Sequence, residues 1–261
     1  MQPAVDDTYW LEADELYYAT GDEVPIDRPV YQGDIYADVP LPVIQGAVPD
    51  GNEVKLSVVR TPVMIVPHPC QCYHGDTLRS KLTVAPIKAV EVEIDSDAPG
   101  QKDKFALLDL PRRTEDGTWT TQTSVADFGR LVSVPQRWIV TGGYRVACLS
   151  HKGLGLLAKR MTDFQLRQPI TLNNAMSFTA KEWYEAFLMQ AWVRKHRSLK
   201  GYSAWMRTPI QIVGVGAEGE WVTPYSVRTS GYDALMELIT GEPLVEPGDE
   251  ATSPSGPSTE N

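Results

Sequence analysis

The sequence predicts an α+β fold, a small antiparallel β-barrel followed by an α-rich C-terminal part. Three observations carry this expectation. From Val30 to Val134, short β-like runs alternate with turn residues and no helical period intervenes. After Tyr144, apolar residues recur at three- and four-residue steps. A chain of 261 residues, 42% hydrophobic and 22% charged, is long enough for one large domain or two small ones.

Residues 1–29 form an acidic N-terminal arm, in which Trp10, Leu11, Leu16, Tyr17 and Tyr18 suit one short docking turn before an extended entry flanked by Pro25 and Pro29. Strands are expected at Val30 to Ala37, Glu53 to Arg60, Pro62 to Val66, Lys81 to Ile94, Phe105 to Leu108, Thr118 to Asp127 and Arg130 to Val134. Turn signals separate them: PDGN at 49–52, HGD at 74–76, APGQKD at 98–103 and TEDGT at 114–118. Ser150 is the expected N-cap of a helix through about Arg167, with Leu154, Leu157, Met161 and Phe164 on its buried side. Gly153 and Gly155 weaken its first turns. Thr179 followed by Glu182 reads as a capping box opening a helix to about Arg197, with Trp183, Phe187, Leu188, Ala191 and Trp192 inward. A β-like run over Pro209 to Val215 and a helix from about Ser226 to Ile239 follow. The expected division is 1–29 arm, 30–168 barrel with closing helix, 169–242 α-rich part, and 243–261 a disordered acidic tail of Glu, Pro, Gly, Ser and Thr.

The formal net charge is −10, which argues against a protein that coats DNA non-specifically. Its distribution is uneven. Residues 1–38 hold ten acids and one base, residues 240–261 hold five acids and no base, and Arg145 to Arg207 holds eleven bases against three acids. Three cysteines imply no disulfide scaffold and fit a reducing compartment. The acidic start lacks the basic and apolar regions of a signal peptide, and no apolar run reaches the roughly 18 residues that would span a bilayer. The chain is therefore expected to be cytoplasmic, without a membrane partner.

The densest chemical signal is Pro67-His68-Pro69-Cys70-Gln71-Cys72-Tyr73-His74-Gly75-Asp76. In an extended strand His68, Cys70, Cys72 and His74 would project from one side. Cys148 and His151 form a second pair where a strand meets a helix. Two chemistries fit. Thiolates and imidazoles are zinc ligands, and Cys70, Cys72, Cys148 and His151 would complete a tetrahedral shell, with His68 and His74 as substitutes. C-x-C is not the usual knuckle spacing. Alternatively Cys70 or Cys72 is a nucleophile activated by His68 or His74, although neighbours in sequence seldom form such a pair. Against both stands a structural role, with the cysteines as small buried hydrophobes and the histidines held by turn carbonyls.

Read in order, the strand region resembles the PemK/MazF-type toxin barrel, a small SH3-like fold whose active members cleave RNA. Gln32-Gly33-Asp34-Ile35-Tyr36 resembles the opening R-G-D-I-[WY] strand, and Arg60-Thr61-Pro62-Val63-Met64-Ile65-Val66 the R-P-V strand. Leu82-Thr83-Val84-Ala85-Pro86-Ile87 resembles the P-I-T strand, Ser124 to Val134 a later strand and turn, and Leu149-Ser150 the start of the closing helix. The resemblance covers about residues 30–166. It implies catalytic roles at the scissile phosphate for Arg60 and Lys88. Two departures weaken that implication. Thr61 separates Arg60 from Pro62, which turns an Arg to the other face of a strand, and Lys88 replaces the family's Thr. The layout is also similar to larger uncharacterised bacterial and phage proteins.

Arg194, Lys195, Arg197, Lys200 and Arg207, interleaved with His196, Tyr202 and Trp205, combine cations with aromatics as single-stranded nucleic-acid sites do. A basic helix C-terminus followed by core aromatics explains the same residues, and that structural account is the favoured one. No G-x-x-x-x-G-K-[ST], G-x-S-x-G or H-E-x-x-H is present. The sequence thus points to an interaction or regulatory protein with a toxin-like barrel lacking a complete ribonuclease site, with RNA or protein as partner. An endoribonuclease and a zinc-stabilised protein are the alternatives, and the oligomeric state is left open.

Overall fold

The computed structural model describes residues 11–47, 54–90, 103–166, 172–212, 215 and 220–241. Several expectations fall wholly or partly outside them: the start of the N-terminal arm through Trp10, the turn at 49–52, the end of the Lys81 to Ile94 strand, most of the turn at 98–103 and the tail from 243. A one-turn helix α1 (Ala13–Leu16) leads into β1 (Tyr17–Thr20), then β2 (Asp34–Ala47) and β3 (Val54–Ile65). An insertion follows, made of the turn α2 (Pro69–Cys72) and the hairpin β4 (Tyr73–His74) and β5 (Thr77–Leu78). The sheet continues through β6 (Lys81–Ala89), β7 (Lys104–Arg113), β8 (Trp119–Asp127), β9 (Val132–Pro135), the short α3 (Gln136–Val140) and β10 (Tyr144–Leu149). Helices α4 (His151–Leu166), α5 (Leu172–His196), α6 (Tyr202–Arg207), α7 (Pro224–Val227) and α8 (Tyr232–Thr240) complete the chain.

Apart from the β4–β5 hairpin, the described strands form one eight-stranded antiparallel sheet in the order β1-β10-β2-β3-β6-β8-β7, with β9 also on β6, and the sheet nearly closes on itself as a barrel. One core holds Ile35, Met64, Ala85, Ile87, Phe105 and Leu107 against Leu154 and Leu157 of α4. The opposite sheet face packs Tyr36, Val63, Ile65, Leu82, Val84 and Ile139. The two sets interleave along β2 and β3 because successive side chains alternate faces. A third core, Ala186, Leu188, Met189, Tyr202, Met206 and Leu235, belongs to the helices. The coarse α+β expectation agrees with this architecture. No helix among the described residues is long and apolar enough to cross a membrane.

Several boundaries differ from expectation for identifiable reasons. The runs ending at Arg60 and starting at Pro62 are one strand, because Pro62 sits at a bulge where it owes the ladder no N–H. Between the pairs Tyr36–Val63 and Val39–Thr61, two residues of β2 face one of β3, and Asp38 there takes φ +60°. β10 is absent from the expected strand set, although the Cys148–His151 pair is expected where a strand meets a helix, and β10 ends there at Leu149. The Pro209 to Val215 run contributes only the isolated bridge Ile210–Val222, and the last expected helix is split into α7 and α8 at Gly231. Ser150 does cap α4: its Oγ accepts the Gly153 N–H at 3.0 Å.

Candidate functional site

The insertion after β3 is a turn where the sequence suggested a strand. Pro69 takes the first helical position of α2, where a missing N–H costs nothing. His68 caps that turn, its Nδ1 accepting the Cys70 N–H at 3.3 Å. One helical turn places Cys70 outward and Cys72 inward, so His68, Cys70, Cys72 and His74 do not share a face. Cys72 is fully buried, its Sγ 3.6 Å from the Pro67 carbonyl. Burial, followed by the nearby Asp34 and Cys70 charges, pushes its thiol up to about 12. It is a core residue.

Cys70 has different company. Its exposed Sγ lies 3.0 Å from His68 Nδ1, and His68 Nε2 lies 3.0 Å from Glu182 Oε1 on α5. The network assigns the imidazole proton. Nδ1 already accepts the Cys70 backbone N–H, so the ring hydrogen belongs on Nε2, donated to Glu182. In that tautomer Nδ1 is an acceptor shared between the Cys70 backbone N–H at 3.3 Å and the thiol at 3.0 Å. Burial acts most strongly and would raise the Glu182 carboxyl; the hydrogen bond from His68, a backbone hydrogen bond and the nearby His68 and Arg228 charges together outweigh it and hold the carboxyl below its ordinary value.

Glu182 comes from a helix that starts earlier than expected. α5 opens at Leu172, so Thr179 lies inside it and donates its hydroxyl to the carbonyls of Ala175 and Met176. The capping box does not form, and Glu182 is free to reach the insertion. The two are pinned further by Asp76, whose carboxylate accepts Gly201 N–H at 2.8 Å and Ser203 N–H at 2.6 Å at the start of α6.

Between insertion and helices lies a cleft of about 440 Å³. Cys70, His68 and Glu182 line it together with Glu185, Met189 and Met206. Arg228 reaches in from beyond α7, its Nε 3.4 Å from Glu185 Oε2 and its guanidinium stacked 3.9 Å from the Tyr225 ring centre. Burial raises the Glu185 carboxyl, with Arg228 opposing the shift and Glu182 adding to it. Sequence reasoning missed Glu182, Glu185 and Arg228. A usable signal existed for the acids: they are the only two acids of α5 and, with Met189, recur at steps of three and four along one face.

The expected zinc ligands are not assembled: among the described residues no group of three or more His, Cys, Asp or Glu could hold a metal ion. Cys148 is buried on β10, where burial first and then Asp34 push its thiol up. His151 places Nε2 3.1 Å from the Met176 carbonyl oxygen and stacks on Trp183. His74 is exposed at the cleft rim.

Arg60 and Lys88 do share one place, a separate cleft of about 610 Å³ on the barrel that Arg112 and Arg113 also line. Arg60 donates Nη1 to the Asp38 carbonyl at 3.0 Å and to its carboxylate at 2.9 Å, clamping the bulge. Lys88 lies 3.7 Å from Asp127. Of the basic set at the end of α5, Arg194 is paired with Asp27 at 2.6 Å, while Lys195, Arg197 and Lys200 are exposed. Arg207 lines the thiol cleft instead. Tyr202 is buried, and Trp192 and Trp205 pack against the helical core.

No family model, no curated protein and no solved structure matches the chain.

Proposed function

We propose that the protein is a thiol-dependent acyl-transfer enzyme, with Cys70 as nucleophile, His68 as base and Glu182 as the residue that orients His68. The carrying observation is the unbroken relay from Cys70 Sγ through the imidazole to Glu182, each link at 3.0 Å. In the step this supports, the thiol proton passes to Nδ1 as sulfur attacks an ester or thioester carbonyl. His68 returns that proton to the leaving group, and water then cleaves the acyl-enzyme by the same route. The backbone N–H of Cys70 is spent on His68 Nδ1, and those of Gln71 and Cys72 on the His68 carbonyl. Charge on the carbonyl oxygen must therefore meet side-chain donors, and Tyr202 and Arg228 are the two that line the same cleft from a buried position.

Iodoacetamide alkylation followed across pH, with the adduct located by mass spectrometry, tests the relay. Cys70 should react faster at pH 7 than an ordinary thiol, which is only a few per cent ionised there. Cys70→Ser should remove the adduct, and His68→Ala should slow turnover of p-nitrophenyl acetate by about 10²- to 10⁴-fold. A Cys70 that alkylates like free cysteine, with or without His68, would overturn the proposal.

A second reading, RNA binding or cleavage by a toxin-like barrel, is favoured by the convergence of Arg60 and Lys88 on one cleft with Arg112 and Arg113. Under it, induced expression arrests growth and degrades RNA, and Arg60→Ala with Lys88→Ala relieves both effects. Absence of arrest together with oligonucleotide binding that does not weaken as salt rises would remove it.

A further inference from the structure

Three arginines and two acids line the thiol cleft, but they are not equivalent. The acids are partly buried and committed, Glu182 to His68 and Glu185 to Arg228. Arg79 and Arg207 stand exposed on the rim, and neither forms an ion pair with any described residue. The rim cations therefore face the opening without internal compensation. This occurs in a chain whose net charge is −10, so the attraction is local to the cleft.

A second observation comes from the floor. Tyr202 is 5% exposed, yet its hydroxyl has no hydrogen-bond partner among the described residues. A buried hydroxyl left unpaired is costly, and the position is one a bound ligand would satisfy. Met189 and Met206 beside it are apolar and adaptable, suited to a short carbon chain between two polar ends.

We infer that the cleft selects acyl substrates that carry a fixed negative charge, a carboxylate or phosphate held by Arg79 and Arg207 while the reacting carbonyl lies over Cys70 near the Tyr202 hydroxyl. The inference rests on the thiol chemistry proposed above and adds the substrate class. Arginine suits this task because its planar donor fork matches both oxyanions.

Iodoacetate and iodoacetamide make the test, since both transfer a carbon to sulfur with loss of iodide and differ only in charge. The quantity read is the ratio of their second-order rates at Cys70, relative to the same ratio for glutathione. The wild-type protein should exceed glutathione by fivefold or more at low salt, and Arg79→Ala with Arg207→Ala should bring the ratio back to that of glutathione. Millimolar inorganic phosphate should slow iodoacetate selectively, and mono-p-nitrophenyl glutarate should be turned over with a lower KM than p-nitrophenyl acetate. Preferential turnover of the glutarate without phosphate competition would assign the site to carboxylates alone. A wild-type ratio no higher than that of glutathione, or one unchanged by the double substitution, would overturn the inference. The iodoacetamide rate alone reports whether Cys70 is activated, so loss of the thiol chemistry and loss of the charge preference register in different measurements. Both arginines are exposed, and an unchanged thermal midpoint in the variant verifies its fold.

Discussion

At the scale of single residues, the informative atom is His68 Nδ1, because it accepts from its own turn and faces the thiol at once. Sequence showed that cysteine and histidine were concentrated there. It could not show that residues two apart would meet, since that depends on Pro69 converting a strand into a turn. Glu182 was visible but assigned to the wrong partner: T-x-x-E is compatible with a helix start and equally with a helix interior, and only the earlier start of α5 decides between them. Its depressed carboxyl makes a testable link to stability. Near pH 4 the unfolded chain binds a proton at residue 182 that the folded chain refuses, so this contribution is complete above the unfolded value of about 4.3 and is lost as pH falls through the folded one. The thermal midpoint of the wild type should accordingly drop more steeply between pH 5 and pH 3 than that of Glu182→Gln. Glu185, raised chiefly by burial, has the opposite sign; its burial is common to both proteins, and the variant loses only the lesser part of its shift that the Glu182 charge supplies. Parallel acid limbs would show that the His68–Glu182 bond contributes nothing.

At the scale of elements, the strand-then-helix order was legible because it rests on periodicity, while the joints were not. Gly153 and Gly155 read in sequence as weaknesses of α4; the structure gives them a purpose. A Cβ on Gly153 would lie 2.3 Å from the Leu16 carbonyl oxygen, and one on Gly155 would lie 2.5 Å from Met176 Cγ. α4 is thus pressed against the end of α1 on one side and α5 on the other. Gly153→Ala sets a helix-propensity gain of about 1 kcal/mol against overpacking of about 1–3 kcal/mol, and backbone that cannot swing aside makes overpacking win. A lowered urea midpoint with an unchanged slope is expected. A variant as stable as wild type would mean that the α1 contact is loose. Gly33, at φ +78°, plays a related part in the G-D-I-Y segment: a side chain there would strike Leu149 and Leu154 within 3 Å.

At the scale of the molecule, part of the charge bias of the sequence is internal wiring. Arg145, which opens the basic stretch, is partly buried and joins the buried Arg28 around Asp34, at 3.3 and 3.2 Å, and its guanidinium also donates to the Tyr36 hydroxyl. Lys152 pairs with Glu15, Lys159 with Asp163, and Arg194 with Asp27. Acids of the N-terminal arm are therefore partners for bases far along the chain, which composition alone cannot reveal. The candidate site follows the same pattern, because its two halves are 114 residues apart. That separation sets an order in time. Chains are made at about 5–20 residues per second, so Cys70 exists for on the order of ten seconds before Glu182 is added. Under the proposed chemistry, the thiol of the nascent chain has its histidine neighbour but no carboxylate to orient it, and reactivity at Cys70 is expected only after the helical half docks.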